Sequence, residues 1–471
     1  MDAVGGAAKH YPGEASMTPA TPSTHTLSLW ADGQKVATLG YEPLNDRWSL
    51  DYEYDWTHTP EAFPLSPPLP LEEPANGYAA GAVKRFVENL LPEGRALDIT
   101  ATTYHVSKSN IFALINALGT ETTGAFSFWR SDEVPPSIAA TPPREVTRDE
   151  LNLRLNERDS IPLAVWDGKF RMSIAGVQDK LMVYLDRSLE DGGRMFLVEP
   201  PLASTHILKP EPGRTVTPHL VVNEHFCMSL AKRMGLPVAA VSIYRTPRPV
   251  LVVGRFDRVV IEKATEPVVQ RLHIIDACQA SDLPATYKYE RNFGSGEHVR
   301  NIREGVSFEI LFNRVEQTVN KAVARLALLR WALFQFLIGN SDAHGKNFSF
   351  FVHREGLEPA PWYDLVSVVQ YPGIDHELAM AFGDAFSLDE VGAFQLADFA
   401  KRCGVNRALL KREAARMAKL ATEQAPMQAQ AVDYLDDERA FANQLRDFIV
   451  GQASRLTAIA SEAAKVKDEF L

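Results

Sequence analysis

The chain of 471 residues has few cysteines: Cys227, Cys278 and Cys403, an odd number with no C-x-x-C spacing. That argues against a disulfide framework or a cysteine zinc site and fits a reducing compartment, the cytoplasm. No stretch reaches the roughly 18 uninterrupted apolar residues of a membrane-spanning helix, so no membrane partner is expected. The first residues lack the apolar core of a secretory signal. Long Lys/Arg runs are missing, and 49 basic against 60 acidic residues leave a net charge of −11. Nothing therefore indicates a DNA-binding face of the chain's own. No internal repeat is evident. What remains, 45% hydrophobic and 23% charged, is an ordinary globular balance, with length for roughly two to four domains.

Residues 1–26 are polar and rich in Ala, Pro, Ser and Thr, and read as a disordered tail. An N-terminal α+β subdomain is expected over 27–133. Residues 27–40 alternate around Asp32-Gly33, a hairpin signal, and 48–54 alternate as a further strand. Helical patterns follow at 80–91 and 108–118, the second stopped by Gly119. Val134-Pro135-Pro136 and Thr141-Pro142-Pro143 mark a linker. Residues 145–282 read as strands, one helix at 220–234, then more strands. From 283 to 471 the patterns are helical, over 319–338, 396–402, 407–423 and 439–466, with Asn406 as an N-cap.

The richest chemistry lies in Gly339-Asn340-Ser341-Asp342-Ala343-His344-Gly345-Lys346-Asn347, between an apolar helical stretch and an apolar strand at 348–352. Asp342 and Asn347 stand 5 apart, and Asp364 comes 17 residues later. Acid, amide, then acid after a strand is the spacing of a protein-kinase catalytic centre. Asp342 would accept the proton of the acceptor hydroxyl. Asn347 and Asp364 would hold magnesium, a hard cation that prefers oxygen ligands. These residue types also form ordinary turns, and the first pair alone reads as one. The apolar flanks and the second acid favour a site. His344 reads either as a ligand or as a hydrogen-bonded structural histidine. Lys209, at the end of a strand, is the cation such a centre needs on the phosphates. Ala175-Gly176 offers backbone N–H groups that can approach them closely.

The order of these features resembles the HipA family of bacterial serine/threonine protein kinases, the toxins of type II toxin–antitoxin modules. The resemblance is carried by Ser173-Ile174-Ala175-Gly176-Val177-Gln178-Asp179-Lys180, Thr205-His206-Ile207-Leu208-Lys209, Asn223-Glu224-His225, Gly254-Arg255-Phe256-Asp257-Arg258, Tyr287-Lys288-Tyr289-Glu290 and Trp362-Tyr363-Asp364. Asn89-Leu90-Leu91-Pro92 extends it to the N-terminal part. It implies a two-lobed α+β kinase-like fold, with a mixed small lobe, an extra N-terminal subdomain and an all-helical large lobe. It implies ATP and Mg2+ as cofactors. Nucleotide contacts are implied for Ala175, Gly176, Val177, Gln178, Lys180 and Lys209, for backbone groups of Ile275 and Ala277 at a hinge near 274–279, and for His344 and Lys346. Ser173 is implied as a regulatory autophosphorylation site.

The implied substrate is a protein of translation, since family targets include glutamyl-tRNA synthetase; an aminoacyl-tRNA synthetase is expected, with growth arrest and persistence as the outcome. The implied partner is a HipB-type helix-turn-helix antitoxin, through which DNA is mainly reached. The chain has neither H-R-D nor D-F-G, unlike ordinary eukaryotic-type kinases. Other readings are a small-molecule kinase, a two-metal hydrolase built on Asp342, His344 and Asp364, and an inactive pseudokinase serving as co-repressor.

Overall fold

In the computed structural model, which describes residues 24–137, 142–158, 160–171, 178–213, 216–261 and 268–471, Asp32-Gly33 is the turn of a hairpin. Both residues have positive φ, 45° and 81°. The hairpin joins β1 (His25–Ala31) to β2 (Gln34–Glu42), followed by β3 (Arg47–Tyr52), α1 (Tyr54–His58), α2 (Ala80–Glu88), α3 (Gly94–Thr103), α4 (Ile111–Leu118) and β4 (Ser127–Arg130). The sheet order is β3-β2-β1-β4. His25 and Thr26, expected in the tail, pair with Tyr41 and Gly40, so the strand begins earlier than its apolar alternation. Helix α3 was not expected. Only Ala96 and Thr100 of it are buried, so it carries no apolar stripe.

The next unit comprises β5 (Arg144–Val146), α5 (Arg148–Glu157), β6 (Val165–Trp166), β7 (Lys169–Phe170), β8 (Leu181–Leu185), β9 (Met195–Leu197), β10 (His206–Pro210) and α6 (Leu220–Arg233). It continues through β11 (Val241–Arg245), β12 (Pro249–Gly254), β13 (Arg258–Ile261), β14 (Val268–Arg271), β15 (Ile274–Asp276) and α7 (Ala277–Ala280). Six strands form one antiparallel sheet, β11-β12-β10-β8-β9-β5. Alternation along β12 sends Val250 and Val252 to one core, shared with Leu151 and Leu155 of α5. Leu251 and Val253 face the other core, shared with Val222 and Phe226 of α6. Lys209 on β10 therefore sits in a strand held between two strands, with α6 beneath.

The N-terminal subdomain is fastened to this lobe by a buried charge cluster. Arg255, Arg258 and Arg271 all donate to the Thr122 carbonyl. Asp257 pairs with Arg255 and Arg258 and accepts from Gly124 N–H. Burial alone would raise the Asp257 carboxyl, but the two guanidiniums hold it well below the usual range.

The last unit holds α8 (Phe308–Arg314), α9 (Lys321–Ile338), β16 (Ser349–His353), β17 (Gly356–Pro359), α10 (Ala393–Arg402), α11 (Arg407–Ala429) and α12 (Asp436–Ala463). It is helical apart from the β16–β17 hairpin, whose first strand follows directly on the polar loop. That hairpin pairs with β15, so strand hydrogen bonds cross the boundary expected at 283. Asn406 caps α11 as expected, accepting from Ala408 and Leu409 N–H. Among the described residues no helix is long and apolar enough to cross a membrane.

Candidate active site

Helix α9 delivers the polar loop. Eleven of its residues are buried, including Leu333 to Ile338, so packing fixes where the helix ends. It stops at Gly339, which adopts φ +65°, where a Cβ would come within 2.5 Å of Val369 Cγ2. Only glycine fits a left-handed, crowded position of this kind. The loop then holds itself. Asn340 Oδ1 accepts from Asp342 N–H (3.1 Å), and Asn347 Nδ2 donates to the Asp342 carbonyl (2.9 Å). Gly345 N–H donates to the Lys288 carbonyl at 2.8 Å. A Cβ on Gly345 would meet Val306 at 2.6–2.7 Å, so this close approach also requires glycine.

Asp342 faces a cleft of about 850 Å³ between the lobes, and Tyr289 O–H donates to its Oδ1 at 2.7 Å. The cleft walls raise the Asp342 carboxyl; the Tyr289 hydrogen bond opposes this and the nearby Asp364 charge adds to it. Asn347 and Asp364 line the same cleft. Asp364 has φ +58°, a left-handed conformation that Asp tolerates better than most residues. Its neighbour Tyr363 donates to the Lys346 carbonyl at 2.6 Å, tying the second acid to the loop of the first.

Across the cleft, Lys209 Nζ donates to Glu224 Oε1 and to Asp364 Oδ1, each at 2.6 Å. Burial works to lower the Lys209 ammonium, but the two carboxylates raise it above its ordinary value, so it stays charged. Asp364 answers in kind: burial works to raise it, and Lys209 draws it down to about 2. Glu224 lies on α6, and the preceding Asn223 locks that helix to the Asp364 segment. Its amide donates to the Ser367 carbonyl and Tyr371 hydroxyl (3.0 Å each), and its Oδ1 accepts from Ser367 N–H (2.8 Å). Lys180 lines the cleft as well, its ammonium pushed down to about 8 by burial and by the Lys209 charge.

The expected site residues divide into those the fold gathers and those it does not. Asp342, Asn347, Asp364, Lys209, Lys180, Gln178, His344 and Lys346 all line the one cleft. Ser173, Ala175, Gly176 and Val177 lie outside the described residues. Lys346 lines the cleft with its ammonium already engaged. Its ammonium is tied to Asn89 O and Oδ1 (3.0 Å each) and to Asp276 Oδ2 (2.5 Å), one acceptor for each of its three donors. Ile275 and Ala277 are fully buried, and Ala277 N–H already donates to Phe348 O (3.0 Å). Strand alternation instead gives Ile274 and Asp276 to the cleft. His344 is 8% exposed, and burial followed by the Lys288 charge brings its imidazole down to about 3, so it is neutral.

Glu224 and Tyr289 were missed as site residues. A signal existed for the first: Asn223-Glu224-His225 is a polar run between the apolar triplets 220–222 and 226–228 of one helix, and such groups are buried only with partners.

A sheet lobe bearing a buried lysine–glutamate pair, set over a mainly helical lobe with an acid–amide–acid loop, defines a protein-kinase-like phosphotransferase. The model of the HipA N-terminal domain matches residues 27–129, and that of the HipA-like C-terminal domain matches 172–428. The chain belongs to the HipA family of serine/threonine-protein kinase toxins. It is 38% identical over 449 residues to the serine/threonine-protein kinase toxin HipA of Shewanella oneidensis, spanning 95% of this chain and 99% of that protein. A solved structure from Shewanella oneidensis MR-1, the toxin–antitoxin complex of HipA, HipB and operator DNA, is similar with a TM-score of 0.83 at 37% identity. The match covers 94% of this chain and 100% of that one.

Proposed function

We propose that the chain transfers phosphate from Mg·ATP to a serine or threonine of a partner protein, with Asp342 as the base. The observation that carries this reading is the convergence of Lys209, Glu224, Asp364 and Asp342 on one cleft. The residues suit the cofactor. Asp364 and Asn347 offer a carboxylate and an amide oxygen, a donor set for a hard cation that also takes phosphate oxygens. A two-metal hydrolase built on Asp342, His344 and Asp364 leaves the Lys209–Glu224 pair without a role. ATP supplies the phosphoryl group, and magnesium offsets the charge on it. Lys209, held rigid between two carboxylates, presents a fixed positive charge to the α/β-phosphates. Asp342 orients the acceptor hydroxyl and takes its proton, and a raised carboxyl makes it the stronger base.

The target we infer is an aminoacyl-tRNA synthetase, as the family resemblance implies. The restraint is a HipB-type antitoxin that also carries the pair to DNA; the similar Shewanella complex of HipA, HipB and operator supports this partner. We further infer that phosphate on Ser173 switches the kinase off. It would add roughly −1.5 to −2 charges next to the loop meant for ATP phosphates. Incubation with labelled Mg·ATP and cell extract tests the reading. Label on protein supports it, label on a small molecule alone replaces it with a small-molecule kinase, and no label leaves a pseudokinase. Peptide mapping after incubation tests Ser173 separately.

A further inference from the structure

The turn between α2 and α3, Asn89-Leu90-Leu91-Pro92-Glu93, belongs to the N-terminal subdomain, yet three of its residues, Asn89, Leu90 and Glu93, line the catalytic cleft. Leu90 and Leu91 are each 5% exposed and anchor the turn in the shared core. Asn89 is 3% exposed, and its hydrogen-bonding groups are engaged on both sides. Its Nδ2 donates to the Arg85 and Leu283 carbonyls (2.9 Å each), which fixes the side chain. Its carbonyl and Oδ1 then take two of the three Lys346 donors, one residue before Asn347. Glu93 Oε2 accepts from Lys288 Nζ at 2.7 Å. Lys288 in turn has its carbonyl on Gly345 N–H, and the next residue, Tyr289, holds Asp342 Oδ1.

Two separate bridges thus run from this turn to the catalytic loop, one ending beside Asn347 and the other at Asp342. Arg85 adds a brace on the same helix, pairing with both oxygens of Asp282 (2.9 and 2.6 Å). We propose that Asn89 and Glu93 are positioning residues of the phosphotransfer site: the N-terminal subdomain holds the catalytic loop and, through Lys288 and Tyr289, the carboxylate of Asp342. The proposal rests on Asp342 being the base.

The physical requirement is geometric. A reacting group displaced by about 1 Å can lose about 10²-fold in rate without any change in ground-state binding. Without the Asn89 side chain, the buried Lys346 ammonium loses Oδ1 as an acceptor, and the turn loses the two Nδ2 bonds that hold the Asn89 carbonyl in place. Without the Glu93 charge, Lys288 is released and Tyr289 follows it. A role confined to holding the subdomain in place would instead change melting temperature and leave turnover alone.

The test uses the full chain with γ-labelled Mg·ATP, scoring label on the chain itself and on casein as a generic acceptor. Variants are Glu93→Gln, Asn89→Ala, Glu93→Lys, the swap Glu93→Lys/Lys288→Glu, and Lys108→Ala as a control on an exposed pair of the same subdomain. Melting temperature and calorimetric affinity for Mg·ADP accompany each. Glu93→Gln and Asn89→Ala are expected to lower kcat by about tenfold or more, with KM for ATP and Mg·ADP affinity within about threefold of wild type. The swap is expected to recover at least about tenfold over Glu93→Lys alone. If Asn89→Ala melts early, Glu93→Gln and the charge swap carry the test. The proposal is overturned by a kcat within about twofold of wild type in folded variants, by an equal loss of Mg·ADP affinity, or by a swap that recovers nothing. A wild-type chain that labels neither itself nor casein overturns the kinase reading beneath it. Active wild type with unaffected variants overturns this proposal alone.

Discussion

Substituting Glu224 by glutamine keeps the shape of the side chain and one acceptor oxygen but removes its charge. Lys209 Nζ lies 2.6 Å from Glu224 Oε1 and 2.6 Å from Asp364 Oδ1, and Glu224 is 2% exposed. At an effective dielectric constant of 20, a pair at that distance attracts by about 6 kcal/mol before desolvation is counted. Deleting one partner of a buried pair typically costs about 3–5 kcal/mol. Since glutamine still hydrogen-bonds, we expect a loss of about 2–3 kcal/mol in the site, or about 30–150-fold in kcat/KM for ATP. The direction of failure is also set. Freed from Glu224, Lys209 moves onto Asp364, its remaining partner in the pair of contacts, and competes with magnesium for that carboxylate. Turnover measured across magnesium concentrations should therefore show a higher requirement in Glu224→Gln than in wild type. A double substitution with Lys209→Met should lose little more than either alone, because both remove one interaction. Full kcat/KM at unchanged melting temperature and unchanged magnesium dependence would refute the reasoning.

Asp342→Ala should lower kcat by about 10²–10⁴-fold while Mg·ADP binds as in wild type; near wild-type labelling of protein would remove Asp342 as the base. Asp364→Ala should weaken Mg·ATP binding as well as turnover, and more than Asn347→Ala, because it removes a full charge from the cation site; titration calorimetry with magnesium showing equal affinity would count against it. The buried neutral histidines make stability depend on acid. Burial brings His225 and His273 down to about 4 and His344 to about 3. Between those values and the ordinary 6.5 the unfolded chain binds more protons, so stability is full above about pH 6.5 and falls as pH drops toward 4, by at most about 3 kcal/mol per histidine. Urea midpoints that stay level from pH 7 to about 4.5 would contradict this.

Much of the organisation was legible in the chain because it is local. The Asp32-Gly33 hairpin, the 220–234 helix, the Asn406 cap and the apolar run into Gly339 each follow from periodicity and turn chemistry within a few residues. The spacing of Asp342, Asn347 and Asp364 is local too, and with Lys209 it pointed to a kinase before any fold was in view. The limits had equally physical causes. Helix α3 buries too little to show a stripe, and nothing local to Tyr289 marks it as the partner of Asp342, 53 residues on.

What the sequence by itself determined is the set of chemical groups and the elements that carry them. Only the tertiary structure decided which of those groups meet. Glu224 stands 15 residues from Lys209, and Asp364 a further 140, yet both carboxylates close on one ammonium. Lys346 stands in the loop of Asp342, yet the fold brings Asn89, 257 residues away, and Asp276 to its three donors. The reason is that a buried charge is stable only where acceptors surround it. Those acceptors come from whichever elements packing places beside it, and sequence spacing does not record that choice.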